Sequence, residues 1–299
     1  MDFVNLAISF LYQVGTNAAF LLLCALGLIV ILGMMNIINL AHGELMMMGA
    51  YITTALYQLG VPLAVCAVAA FFGVAAFGCA LERLVIRRFY GRELSALVVT
   101  WGISLILSQG TLLAFGPFMP SITIPKGSVE IGVYSMSYYW LGLIAVSVLI
   151  VFALWWLYKK TRFGLMARAT MESADMARAM GVKTDWVYML TFAMGAGLAG
   201  LGGALLAPTT SIAPFMGQQF VAPAFITVVV GGVANVISGA VGSSVLLSLI
   251  KTPVGLSVGA FYGTVALLFA ALIIIRLMPN GVSAGLQRLA ERLPIFGGR

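Results

Sequence analysis

The sequence predicts an all-α fold, a polytopic bundle of membrane-spanning helices, and three observations lead there. Charged residues make up only 8% of the 299 positions and hydrophobic ones 62%, with a mean hydropathy of +1.09. A soluble domain carries roughly 25% charged residues, so this chain could not sustain a water-facing surface. Apolar runs near the roughly 20 residues that cross a bilayer as helix recur along its whole length. The alternating segments of about 10 residues that mark a transmembrane β-barrel are missing. A single transmembrane domain over residues 1–299 is expected.

The elements follow in chain order. Apolar runs cover 10–33, 40–59, 62–82, 94–115, 137–158, 187–207, 219–232, 238–251 and 256–277. The first 33 residues hold no Lys or Arg, so the first run is expected to be a retained helix, since a signal peptide opens on basic residues. Cys24, Cys66 and Cys79 lie inside apolar runs without metal or disulfide spacing and are expected to pack as small hydrophobes. In the sixth run Gly195, Ala199 and Gly203 recur every fourth residue, as do Ala196, Gly200 and Ala204. That spacing lets helix backbones approach closely in lipid and is expected to serve helix packing.

Net charge is +7, and its distribution sets the topology. Arg83, Arg87, Arg88 and Arg92 form one cluster; Lys159, Lys160, Arg162, Arg168, Arg178 and Lys183 form a second; Arg276, Arg288, Arg292 and Arg299 form a third. The clusters cap membrane spans instead of covering a folded basic face, which speaks against nucleic acid as a partner and for membrane lipid. The positive-inside rule places all three in the cytoplasm. The loop 116–136, with Lys126 and Glu130 among Pro117, Pro120 and Pro125, fits the outside. Alternation then predicts about nine crossings, with the N-terminus outside and the C-terminus cytoplasmic.

Two places are wrong for simple spans. The runs 219–232 and 238–251 are each too short to cross alone, and they flank the glycine-rich "GGVANVISGAVGSS" at 231–244 with Asn235 and Ser238. Near the start, "MMNIINLAHGELMMMGAY" (34–51) joins two apolar runs almost without a loop. It gathers Asn36, Asn39, Glu44 and the only histidine, His42. Irregular backbone at membrane depth persists only when buried in protein or lining a cavity, and paired glycine-interrupted segments point to a substrate path. "NLAHG" (39–43) and "NVISG" (235–239) form an approximate repeat. Asn36, Asn39, His42, Glu44, Asn235 and Ser238 are therefore expected either to line a solute pathway or to satisfy backbone groups freed at the breaks. Glu44 has a further reading, as a carboxylate in the first turn of the following helix.

Residues 159–186 form a cytoplasmic loop too long for a connector. Leu165, Ala169, Met176 and Met180 fall on one helical stripe, and Arg168, Glu172 and Asp175 on another. Gly181 is placed to end that helix in a left-handed conformation. The mixed charge favours docking on a partner protein over lying on lipid. "GVKT" (181–184) lacks the Gly-Lys pair of a P-loop, so no nucleotide site is expected in this chain.

"INLAHGELMMMGAY" (38–51), "TRFGLMARAT…MGV" (161–182), "TFAMGAGLAGLGGALLAP" (191–208) and "VVVGGVANVISGAVG" (228–242) resemble the permease subunits of ABC importers for branched-chain amino acids, urea and short-chain amides. "GRELSALVVTWGISLILSQG" (91–110) and "MGQQF" (216–220) resemble the urea/amide branch more closely. The resemblance implies a bacterial inner-membrane permease without cofactor of its own. It also implies a second, homologous permease, two cytoplasmic subunits carrying ATP and Mg, and a periplasmic solute-binding protein. Segment 164–181 is similar to the family's coupling segment, which assigns Arg162, Arg168, Glu172, Asp175, Arg178 and Gly181 to coupling with the ATPase. Ala234 and Asn235 depart from the family's second-half glycine motif.

The expected function is ATP-driven, alternating-access uptake of a small polar nitrogen-containing solute, urea or a short-chain amide before a branched-chain amino acid. The competing reading is a proton-coupled secondary transporter using Glu44 and His42, because intramembrane ionisable residues are functional candidates by default. An enzyme is disfavoured. One histidine cannot build a metal-hydrolase cluster, and nothing links Ser104 or Ser243 to it as a nucleophile. No catalytic or metal-ligating residue is assigned.

Overall fold

Uninterrupted Leu, Ile, Val and Ala force the backbone to satisfy its own hydrogen bonds, and in hydrocarbon a helix does so within one segment. The structure, a computed structural model, describes residues 2–124, 127–131, 134–232 and 236–285. Its helices are α1 (Asp2–Met35), α2 (His42–Gln58), α3 (Leu63–Leu84), α4 (Glu93–Phe115), α5 (Tyr138–Lys160), α6 (Arg162–Glu172), α7 (Ala174–Ala179), α8 (Thr184–Leu206), α9 (Gln218–Gly231), α10 (Val236–Ser257) and α11 (Ala260–Leu277). Short 3-10 turns occupy Ile86–Phe89 and Ala207–Thr209. Seven helices among the described residues are long and apolar enough to cross a membrane: α1, α3, α4, α5, α8, α10 and α11. The chain is a multi-pass helical membrane protein.

The other two apolar helices are short, 17 residues in α2 and 14 in α9. The expected run 40–59 therefore begins two residues later as helix, after an irregular segment. The run at 238–251 is not a fragment. It belongs to α10, a helix of 22 residues with Pro253 inside it, so only α9 is short on that side of the second break. The loop 116–136 also holds an unexpected element. Strands β1 (Ser128–Ile131) and β2 (Tyr134–Ser137) pair antiparallel with Ser128 opposite Ser137 and Val129 opposite Met136. Short alternation of polar and apolar residues produces this pair.

The chain divides into two compact units. One comprises Met1–Leu22, Pro125–Val151 and Phe225–Arg299. Its core joins Leu21, Val230, Leu247, Leu267, Ala271 and Val282. Buried polar contacts support it: Ser248 Oγ donates to the Val14 carbonyl at 2.6 Å, and Asn17 Nδ2 to Thr252 Oγ1 at 3.1 Å. The second break lies here, where Gly232 takes a φ of +73° between α9 and α10. A side chain on Gly231 would meet the Gly239 carbonyl at 2.7 Å, so the two helices approach backbone to backbone. Asn235 lies outside the described residues.

The other unit comprises Leu23–Ile124 and Phe152–Ala224. At its centre α8 is nearly enclosed, with Phe192, Ala196, Ala199, Ala204 and Leu206 fully buried. Ile31, Ile37, Leu81, Ile86, Ala96 and Phe192 form one core cluster, and Ala67, Ala70 and Ala204 another. Small residues make this packing possible. A Cβ on Gly195 would come within 2.8 Å of the Gly27 carbonyl and 2.9 Å of Ile31. Ala199 stands opposite Gly27, and Gly203 touches the Met46 backbone. The four-residue spacing thus presents glycines to α1 and α2, whose backbones take up the space that side chains would fill.

Candidate functional site at the break between the first two helices

The break is built by polar groups that serve the backbone. Asn36 extends α1, its N–H donating to the Leu32 carbonyl at 3.0 Å. It then turns out of the helix at a φ of +52°, among described residues the only non-glycine with a positive value; asparagine tolerates this region better than most residues. Its amide donates to the Glu93 carboxylate at the start of α4. Farther along, the Leu40 N–H donates to Thr100 Oγ1 at 3.2 Å. Asn39 Oδ1 accepts the Ala41 N–H at 3.0 Å. His42 Nε2 donates to the Cys24 carbonyl at 2.8 Å, which pins the start of α2 to the middle of α1. Gly43 lies against the Gly217 and Val221 region with no room for a side chain.

Asn39 and His42 are fully buried and Glu44 is 1% exposed. Glu44 accepts one hydrogen bond, from Ser108 Oγ at 3.3 Å. Three polar atoms in this cluster lack a partner: Asn39 Nδ2, His42 Nδ1 and Glu44 Oε2. Buried polar atoms without partners are uncommon and costly, so this small region keeps unused hydrogen-bonding capacity. The structure thus groups Asn39, His42 and Glu44. It places Asn36 apart, exposed and held by Glu93, and Ser238 in the other compact unit, half-buried.

The sequence reading missed Thr100, Ser108 and Gly217, which serve this break from α4 and from the segment before α9. Each is too ordinary a residue to stand out, and "MGQQF" drew notice only for its resemblance.

The α5–α8 connection is two short helices, not one. Ser173 interrupts it, capping α7 by accepting the Met176 N–H at 3.3 Å. The expected apolar stripe is therefore broken, and Leu165, Met176 and Met180 are 63%, 69% and 86% exposed. Arg162 opens α6 behind Thr161, whose hydroxyl accepts the Gly164 N–H at 3.1 Å. Arg168 reaches back to the Tyr158 carbonyl. Arg178 pairs with Asp175 at 3.2 Å and donates to Thr184 at 3.0 Å. Glu172 is exposed at the end of α6. Gly181 takes a φ of +85°, with its N–H on the Arg178 carbonyl and that of Val182 on Ala177. This is the double bond pattern of a Schellman C-terminus.

A second polar cluster, also missed in the sequence, lies where α3 turns into α4. Glu82 is fully buried. It accepts the Tyr90 hydroxyl and faces Arg87 Nε at 3.5 Å, while Arg87 also reaches Asp185 on α8 at 3.6 Å. Burial first, then the hydrogen bond and charge of Glu82, push the Tyr90 phenol far above its ordinary range.

Seven helices among the described residues are long and apolar enough to span a membrane, and one compact unit holds both a glycine-packed core and a polar break, features that suit an integral membrane protein of the permease class. The chain belongs to the family described as branched-chain amino acid transport system, permease component, whose family model matches residues 10–282. It is 29% identical over 277 residues to the high-affinity branched-chain amino acid transport system permease protein LivH of Salmonella typhimurium, covering 87% of this chain and 90% of that one. The corresponding permease protein BraD of Pseudomonas aeruginosa shows the same identity and coverage. A probable branched-chain amino acid transport permease protein LivH of Methanocaldococcus jannaschii is 26% identical over 271 residues, 86% of this chain and 84% of that one. No solved structure matches significantly. The chain is a transporter subunit and not an enzyme.

Proposed function

We propose that this chain is the permease subunit of an ATP-driven importer in a bacterial inner membrane, moving branched-chain amino acids inward. The observation that carries this reading is the match over nearly the whole chain to a branched-chain amino acid permease family and to relatives of that description. It reverses the order of solutes expected from the sequence. Urea or a short-chain amide rests only on the likeness of segments 91–110 and 216–220. A second permease, two ATP-binding subunits and an external solute-binding protein complete the assembly in this reading.

The exposed α6–α7 segment supports docking on an ATPase. Leu165, Met176 and Met180 supply apolar surface among Arg162, Arg168, Glu172, Asp175 and Arg178, the mixture typical of a transient interface. The basic clusters at the ends of α3, α5 and α11 favour a common cytoplasmic side. Nine crossings follow if α2 and α9 also traverse. At 1.5 Å per residue they span about 26 Å and 21 Å, short of the roughly 30 Å hydrocarbon core. The irregular segments beside them would supply the difference.

Vesicles containing the complete assembly, loaded with ATP on the cytoplasmic side, should accumulate labelled leucine. Leucine accumulation by this chain alone under a proton gradient would instead establish the secondary transporter built on Glu44 and His42. For topology, Ser128→Cys should react with an impermeant maleimide from outside and Lys160→Cys only after permeabilisation.

A further inference from the structure

Helix α4 carries a repeat that its own fold does not use. Ser95, Gly102 and Gln109 recur every seventh residue, and Val98, Leu105 and Leu112 follow each of them by three. A seven-residue period keeps one stripe of a helix against a neighbouring helix along its length. This stripe points outward. Ser95, Val98, Leu105 and Gln109 are exposed, Val98 at 61%, while Gly102 and Leu112 are half-buried. The buried residues of α4, Ala96, Thr100 and Ser108, all lie off it.

Two residues on the stripe carry a cost that lipid does not relieve. Glycine in a helix interior weakens the helix, and Gly195 and Gly203 are explained by the backbones that fill their space. A side chain on Gly102 would meet nothing within 4 Å, so no contact within the chain requires glycine there. Gln109 precedes Phe115, the last residue of α4, by six residues, which puts it about 9 Å inside that end. Its Cα–Cβ bond leans toward the helix N-terminus, away from the nearer membrane surface. Nothing among the described residues hydrogen-bonds its amide. Acyl chains offer an amide no partner, whereas a neighbouring helix does.

We infer that this face of α4 is the contact with the second permease of the assembly. A membrane helix of that subunit crosses α4 at Gly102, where the two backbones come closest, at the angle of about +20° that a seven-residue period favours. It places a hydrogen-bonding side chain opposite Gln109, and Val98, Leu105 and Leu112 pack along the line of contact. Gly102 sets how near the partner comes, and Gln109 fixes the register, as a polar residue at such a position does in a coiled coil. The inference rests on the two-permease assembly proposed above and adds to it the surface by which this chain joins.

The test uses membranes holding the complete transport system, with one affinity tag on this chain and another on the second permease. Gly102→Leu should lower the amount of second permease recovered with this chain at least tenfold, and Gly102→Ala should lower it less. Because a side chain at Gly102 meets nothing in its own fold, the level of this chain in the membrane should match the wild type. Gln109→Leu should lower recovery several-fold, with Gln109→Asn retaining part of it. A photoreactive phenylalanine analogue at Val98 or Leu105 should join this chain to the second permease, and one at Ala114, exposed off the stripe, should not. Wild-type recovery in Gly102→Leu, or adducts with lipid alone at both stripe positions, would overturn the inference while leaving the two-permease reading intact. Should Gly102→Leu fail to reach the membrane, the photoreactive positions decide alone. Absence of any second permease from the wild-type preparation would sink the assembly reading, and the inference with it.

Discussion

His42 shows how a rare residue can be spent on architecture. Its Nε2–H holds the Cys24 carbonyl at 2.8 Å inside a fully buried environment. His42→Ala removes that donor and opens a cavity at the start of α2. The expected cost is about 2 kcal/mol, read as a lower unfolding temperature of the purified protein in detergent, with partial recovery in His42→Gln. Arg87 serves the other polar cluster. Arg87→Met leaves buried Glu82 without its cation; because Arg87 is itself 37% exposed, solvent screening holds the loss to about 1–2 kcal/mol.

Tyr90 adds a pH dependence at the same place. Its folded-state phenol is raised above the ordinary value of 10.0. The unfolded chain therefore releases this proton first as pH rises, and stability falls above about pH 10. Tyr90→Phe should flatten that fall, measured as unfolding temperature between pH 9 and 11. The sequence displayed His42 and Glu44 through their isolation among apolar residues. It displayed Arg87 only as one of a basic cluster and concealed its partners Glu82 and Tyr90, since a charge near such a cluster reads as a solvated helix end.

At the scale of elements, α8 carries the strictest requirement. Gly203 meets the Met46 backbone with no space for a side chain. Gly203→Leu should cost about 3 kcal/mol or more through overpacking, visible as loss of folded protein in the membrane fraction. The repeat of small residues was legible in the sequence. The helices that fill its grooves were not, because a spacing of four says only that something comes close.

The α6–α7 segment gives the complementary case. Arg168→Glu or Glu172→Arg should leave expression unchanged and ATP hydrolysis running while leucine uptake is lost; normal uptake in both variants would remove the coupling assignment. Sequence periodicity predicted one continuous helix there. Ser173 ends it instead, because its hydroxyl satisfies a backbone donor at the start of α7 and favours a fresh N-terminus over continuation.

For the whole molecule, hydropathy and basic clusters were enough to state an all-α membrane bundle, and the motifs in order were enough to state the permease family. The finer solute choice, urea or a short-chain amide, finds no support among the relatives, which are branched-chain amino acid permeases by description. Likeness over a motif of about 20 residues does not by itself separate solutes within one transport family.

What the sequence by itself determined was everything that depends on local composition. Runs of apolar residues must become helices in lipid, glycine spacing must permit close packing, and Gly181 marks a helix end. Tertiary structure alone decided that Glu44 meets Ser108 and that His42 meets Cys24. It also decided that α10 continues as a full-length helix beyond the second break. Those outcomes depend on which surfaces meet across 64 and 18 residues of chain, and the energy of such contacts lies in the juxtaposition of two helices, not in either one.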